Sequence, residues 1–246
     1  MTANDSASNY HRTEAQDKRL QFWNNVVYET MAPLYNCLDW LTCGAWWALQ
    51  RCALEHISSS RRILEVGFGP GRLFQEIATI RGRPPDLIAL DGIDLAEGMC
   101  RFTRRRLEKA GLMKKNQDGT MCTIRIVRGS VYDMPYSDKS FDTVVSAFSF
   151  SGFKDGAQAM MEMTRVLVPG GRLVIVDIGL PLDHNLFGTF WARLWEWFGD
   201  FLYDIPNMME TKGQLQVTTF REFGPGRHIR IVVGEKSVEK KPLIGD

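Results

Sequence analysis

Three glycines at alternate positions, Gly67, Gly69 and Gly71, follow an apolar run that carries one acid, Glu65. A glycine turn lets a ligand lie against the backbone, and a helix starting just beyond it offers free N–H groups. Alone, such a pattern also fits an ordinary turn. An acid closing the next strand is the discriminating feature, and Leu90-Asp-Gly-Ile-Asp-Leu95 supplies two. Asp91 falls inside that strand, whereas Asp94 ends it and can accept hydrogen bonds from both ribose hydroxyls of an adenosine-containing ligand, with Leu95 beside it. The competing reading is that one acid only caps the following helix. Neither has a basic partner nearby in sequence. The spacing is not the Gly-x-Gly-x-x-Gly of dinucleotide folds, and no Gly-Lys-Ser/Thr phosphate loop follows. An acid beside the turn repels a phosphate and attracts an ammonium, which points to S-adenosyl-L-methionine rather than NAD or ATP. Ser130 and the amide of Val131 are the candidates for reading an adenine edge. His184, next to Asp183, is the best-placed base, because the ordinary imidazole pKa suits proton transfer. A loop histidine is more often a plain surface residue; Asp155 and Tyr35 are weaker candidates.

These residues need a scaffold. Apolar stretches at 62–66, 87–93, 123–127, 143–148 and 172–177 read as strands, with helical stretches at 72–80, 96–110 and 156–168 between them. Pro169-Gly170-Gly171 ends the last helix. The alternation predicts an α/β, Rossmann-like, seven-stranded and mostly parallel sheet with helices on both faces. Its last two strands, 215–220 and 228–233, form an antiparallel C-terminal hairpin around Gly224-Pro225-Gly226. Ligands of such sheets sit at the carboxyl ends of the strands. Residues 1–20 read as a flexible tail, and 21–240 as a single domain. Within it, 21–60 form an N-terminal helical cap over the active site, and 61–240 form the cofactor-binding core. Segment 187–203 is apolar on more than one face, which suits burial under the cap or contact with an apolar ligand or membrane.

A chain of 246 residues, 44% hydrophobic and with a net charge of +1, can bury a full core and gives no reason to expect a polyanion. Arg101, Arg104, Arg105 and Arg106 read as a solvated helix face, so no nucleic-acid partner is expected. Five scattered cysteines without a Cys-x-x-Cys pair argue against a disulfide framework and against a bound metal. The polar N-terminus and the absence of a long apolar run predict a cytoplasmic protein, with possible membrane association.

Taken together, Glu65 to Gly71, Gly92-Ile-Asp-Leu-Ala-Glu-Gly-Met99, Met134-Pro-Tyr136 with Ser140-Phe-Asp142, and Arg165-Val-Leu-Val-Pro-Gly-Gly-Arg-Leu173 resemble the class I S-adenosylmethionine-dependent methyltransferases. Tyr28-Glu-Thr-Met-Ala-Pro-Leu-Tyr-Asn36 is similar to the N-terminal segment of the ubiquinone/menaquinone-biosynthesis C-methyltransferases. The resemblance implies that Tyr35 lies over the methionine end of the cofactor, Gly67 and Gly69 contact the methionine backbone, and Asp94 holds the ribose. Three positions depart from that group. Ser130 replaces an acid or amide, Ala96 a capping serine, and Ser149-Phe-Ser-Gly152 a Gly-Leu-Arg-Asn stretch that faces the acceptor.

The seven tryptophans fall in 23–47 and 191–197, outside the core. They suggest an apolar small-molecule acceptor, quinone-like, phenolic or lipid, methylated by direct displacement, with His184 and Tyr35 as catalytic candidates. The alternatives are a phospholipid N-methyltransferase at a membrane surface and a non-catalytic, cofactor-binding regulator. The Asn/Asp-Pro-Pro-Tyr signature of enzymes acting on planar amide or adenine nitrogens is absent from 146–152.

Overall fold

The computed structural model describes residues 45–57, 60–79, 89–112 and 123–238. The tail, most of the expected cap, and Tyr35 lie outside the described residues. The chain enters through α1 (Ala45–Gln50) and a 3-10 turn (Arg51–His56), then runs into β1 (Arg62–Val66). There follow α2 (Arg72–Thr79), β2 (Ala89–Asp94), α3 (Glu97–Lys109), β3 (Thr123–Arg128) and β4 (Phe141–Ala147). A 3-10 turn (Phe150–Gly152) leads to α4 (Gly156–Arg165), β5 (Leu167–Ile178), α5 (Leu186–Phe198), α6 (Ile205–Thr211), β6 (Leu215–Phe223) and β7 (Ile229–Lys236).

The strands form one sheet in the order β3-β2-β1-β4-β5-β7-β6. β1 to β5 are parallel where they pair, and β7 runs antiparallel between β5 and β6. The expected hairpin is therefore present, with its second strand on the inside. Successive side chains alternate between two apolar layers, as the two-residue period of a strand requires. Ile63, Val145, Val174 and Ile231 join Phe74 and Leu90 in one layer. Leu64, Val144, Leu173 and Val232 join Phe150 and Met160 in the other. Both faces are covered, so the central strands read as nearly continuous apolar runs.

One boundary departs furthest from expectation. β5 begins five residues early, because Pro169-Gly170-Gly171 is absorbed as a bulge between the pairs Phe141–Leu167 and Thr143–Arg172. Gly171 permits this, since a Cβ there would lie 2.9 Å from the Val168 carbonyl oxygen and 3.0 Å from that of Asp142. The apolar stretch 187–203 is helical only to Phe198, where Gly199 at φ 121° stops it. Helix α6 was not anticipated. Asp204 caps it by accepting from the Asn207 N–H at 3.3 Å, with a proline in its first turn.

Candidate functional site

The turn after β1 places its glycines for different reasons. All three adopt left-handed φ, at 68°, 52° and 67°. A Cβ on Gly67 would sit 2.5 Å from the Ser149 Cβ, and one on Gly71 would sit 2.3 Å from the Thr103 Cγ2. These two are required for packing. Gly69 has nothing within 4 Å of its missing Cβ and faces open space. It is held from both sides, its N–H donating to Asp94 Oδ2 at 2.8 Å and its carbonyl accepting from Thr103 Oγ1 at 3.0 Å. Asp94 Oδ1 accepts from the Ala96 N–H at 2.9 Å, so this carboxylate ties the turn after β1 to the start of α3. One side chain thus locks the glycine turn and closes a short turn ahead of α3, whose N-cap Ala96 receives no side-chain cap.

Glu65 is buried, and its Oε2 has no hydrogen-bond partner. Burial, and then the Asp94 charge, hold its carboxyl well above the usual carboxylate range. Asp91 has no basic partner nearby in sequence but finds one across the sheet. It is fully buried and paired with Arg125 of β3, at 2.6 Å from Nη2 and 3.0 Å from Nε. Leu95 is exposed on the rim beside Asp94, and its carbonyl accepts from Arg128 Nε at 3.4 Å. After β3, Ser130 Oγ accepts from the Tyr132 N–H at 3.2 Å, and Val131 is buried next to it. An orphaned buried carboxylate oxygen suited to an ammonium, open space over Gly69, and an acid ending β2 fit S-adenosylmethionine.

The loop after β4 borders the same end of the sheet. Ser149 Oγ donates to the Val66 carbonyl at 2.9 Å and lies 2.7 Å from Ser146 Oγ. Phe150 packs edge-on against Phe153 and Tyr203. Beneath them Asp177 is fully buried and accepts from the Ser151 N–H at 2.9 Å and the Ile178 N–H at 2.8 Å. Burial outweighs these bonds and pushes its pKa up to about 6. Because the folded value exceeds the unfolded one, Asp177 contributes stability that is fully present below about pH 4 and lost as pH rises through 6. Urea titrations of the wild type across pH 4–7 are expected to show this loss, roughly 3 kcal/mol, and Asp177→Asn to flatten it. An unchanged slope in the variant would assign it to another group.

His184 lies in the exposed loop after β5 at φ 52°, with its backbone N–H donating to the Pro181 carbonyl at 3.0 Å. Its neighbour Asp183 is engaged by Asn185 at 2.6 Å and Arg227 at 3.4 Å. Asp155 caps α4, accepting from the Gln158 N–H at 2.9 Å. Sequence reasoning passed over His228, which is buried at the start of β7 opposite Gly179, with Nδ1 2.5 Å from the Pro225 carbonyl and its pKa lowered by burial. Its place in a Gly-Pro-Gly-Arg-His turn was the available signal.

A family model described as a methyltransferase domain matches residues 64–175. The demethylmenaquinone methyltransferase of Deinococcus radiodurans is 34% identical over 166 residues, covering 66% of this chain and 63% of that protein. The ubiquinone/menaquinone biosynthesis C-methyltransferase UbiE of Geotalea daltonii is 31% identical over 175 residues, covering 68% and 69%. Among solved structures, an S-adenosylmethionine-dependent methyltransferase from Thermotoga maritima aligns with a TM-score of 0.62 at 16% identity, over 87% of this chain and all of that one.

Proposed function

This chain belongs to the S-adenosylmethionine-dependent methyltransferase family, and from that premise we propose that it methylates an apolar, quinone-type small molecule. The observation that carries the donor half is the Asp94 carboxylate locking Gly69 beside the orphaned Glu65 oxygen. S-Adenosylmethionine supplies, when bound, a sulfonium methyl open to in-line displacement. The protein's part is positioning and exclusion of water. In this reading Glu65 takes the ammonium, Gly67, Gly69 and Gly71 leave room for the methionine portion, and Asp94 with Leu95 lines the ribose. Ser130 and Val131 border the adenine. Tyr35 and the rest of the 21–60 cap close the site from above, and His184 takes the proton released by the acceptor.

The acceptor class rests on the named activity of the relatives and on the apolar surface at the carboxyl end of β5. Leu186 is 87% exposed, and Phe187, Phe190 and Trp191 beside it are also exposed. No helix among the described residues is long and apolar enough to cross a membrane. A cytoplasmic protein that touches a bilayer through α5 fits both facts. One experiment tests the whole reading: incubation with S-adenosylmethionine and a demethylated menaquinone carried in phospholipid vesicles. Methylated quinone by mass spectrometry and co-sedimentation of protein with vesicles are expected. No turnover, despite a melting-temperature rise with S-adenosylhomocysteine, would sink the quinone and leave the donor; no rise would sink the donor. Protein left in the supernatant would remove the membrane contact alone.

A further inference from the structure

Two side chains of β6 and β7 carry charge where charge is costly. The side chain of Glu222 is 1% exposed and that of Arg230 10%, with Nε 3.3 Å from Oε1. Replacing a buried ion pair by apolar residues is often neutral or stabilising, so fold stability alone does not account for it. Its other contacts do. Arg230 Nη2 donates to the Leu180 carbonyl, and Glu222 Oε1 accepts from the Leu182 N–H at 2.9 Å. Gly179 makes room for the guanidinium, since a Cβ there would lie 2.7 Å from Arg230 Nε. Arg227 extends the network, with Nη2 3.6 Å from Glu222 Oε2 and Nη1 3.4 Å from Asp183 Oδ2. Asn185 accepts from the Gly188 N–H at 2.8 Å and donates to the Gly226 carbonyl at 3.0 Å. Gly188 packs so closely on Gly226 that neither can carry a side chain.

The loop joining β5 to α5 is thus bolted to the β6–β7 hairpin at Leu180, Leu182, Asp183, Asn185 and Gly188. It leaves β5 at the carboxyl end of the parallel strands, where ligands of such sheets lie. It carries His184 and presents Leu182, Leu186 and Phe187 to solvent. We propose that Glu222 and Arg230 are positioning residues, a latch that fixes this loop so that Leu182, Leu186 and Phe187 form an apolar wall for the acceptor. The acceptor's identity rests on the quinone reading; the latch does not.

The test compares wild type with Glu222→Leu/Arg230→Met, which removes both charges and leaves neither unpaired. This variant is expected to fold, with 180–188 exchanging amide hydrogens roughly tenfold faster, as the loss of hydrogen bonds to charged groups implies, and 62–71 unchanged. Acceptor KM is expected to rise about tenfold and kcat to fall, because the loosened loop carries His184, while the S-adenosylmethionine Kd stays within about twofold. Arg227→Ala, at the exposed end of the network, cannot open the core and is expected to move the same two readouts in the same direction, by about two- to threefold. A merely structural pair predicts that the double variant matches wild type in both. Unchanged exchange at 180–188 overturns the latch, and a loosened loop with unchanged acceptor KM overturns the wall. If wild type fails to turn over the quinone, the functional reading falls, and the exchange rates alone decide the latch.

Discussion

Asp94→Ala is expected to weaken S-adenosylmethionine binding by about 100-fold or more, beyond ordinary calorimetric detection. The variant strips the acceptor from the Gly69 and Ala96 N–H groups at once, and a hydrogen bond to a charged group contributes roughly 1.5–3 kcal/mol. It also removes the carboxylate assigned to the ribose. Asp94→Asn keeps one acceptor oxygen, can satisfy only one of the two N–H groups well, and should fall between. The decisive measurement is isothermal titration with S-adenosylhomocysteine on folded protein of each variant. Wild-type affinity in Asp94→Ala would reduce Asp94 to a helix-start residue and remove the donor site as drawn.

Gly71→Ala is expected to cost about 2–4 kcal/mol of fold stability, from left-handed strain and from overpacking. The strain follows from φ 67°, and the overpacking from a Cβ 2.3 Å from the Thr103 Cγ2. Thr103→Ala alone loses the bond to the Gly69 carbonyl. Combined with Gly71→Ala it should return part of the loss, so a double-mutant cycle is expected to show at least about 1 kcal/mol of coupling. Strict additivity in urea unfolding would mean that α3 does not press on the turn. Gly69→Ala supplies the contrast. With open space at its Cβ it bears only the strain, about 1–2 kcal/mol, and its larger effect should be on cofactor affinity.

Parts of this protein can be read directly from its residues. The left-handed turn at Gly67, Gly69 and Gly71, and the places of Asp94 at the end of β2 and Asp91 inside it, follow from local rules: the strand period, and the need for left-handed φ in a tight turn. The mostly parallel sheet and its C-terminal hairpin follow from alternation and from the turn signal at Gly224-Pro225-Gly226, whereas the order β3-β2-β1-β4-β5-β7-β6 does not. What escaped depends on register between distant segments. Arg125 finds Asp91 only because β3 lies beside β2 with those residues opposite one another. Glu222 meets Arg230 only because β6 and β7 pair them across the sheet. The early start of β5 was hidden because Pro169-Gly170-Gly171 is a breaker by local rules, and only the contact of Gly171 with the Asp142 carbonyl makes it a bulge. The seven-residue α6 was too short for a periodic signal, although Asp204 and Pro206 marked its start.

The placing of β7 inside β6 also sets an order on how the nascent chain can mature. β5 ends at Ile178, and its neighbour on that side, β7, begins at Ile229. At roughly 5–20 residues per second of synthesis, the edge of β5 stays unpaired for several seconds after it is made. That edge includes Leu173, Val174, Ile175 and Val176, an exposed apolar template for pairing with another chain. β6 emerges first but has no place until β7 arrives, so the hairpin must dock as a pair. Arg230 reaches the Leu180 carbonyl only in that last step. The acceptor wall is therefore completed only after β7 has paired with β5, and a chain stalled before β7 emerges would hold a donor turn beside an unfinished wall.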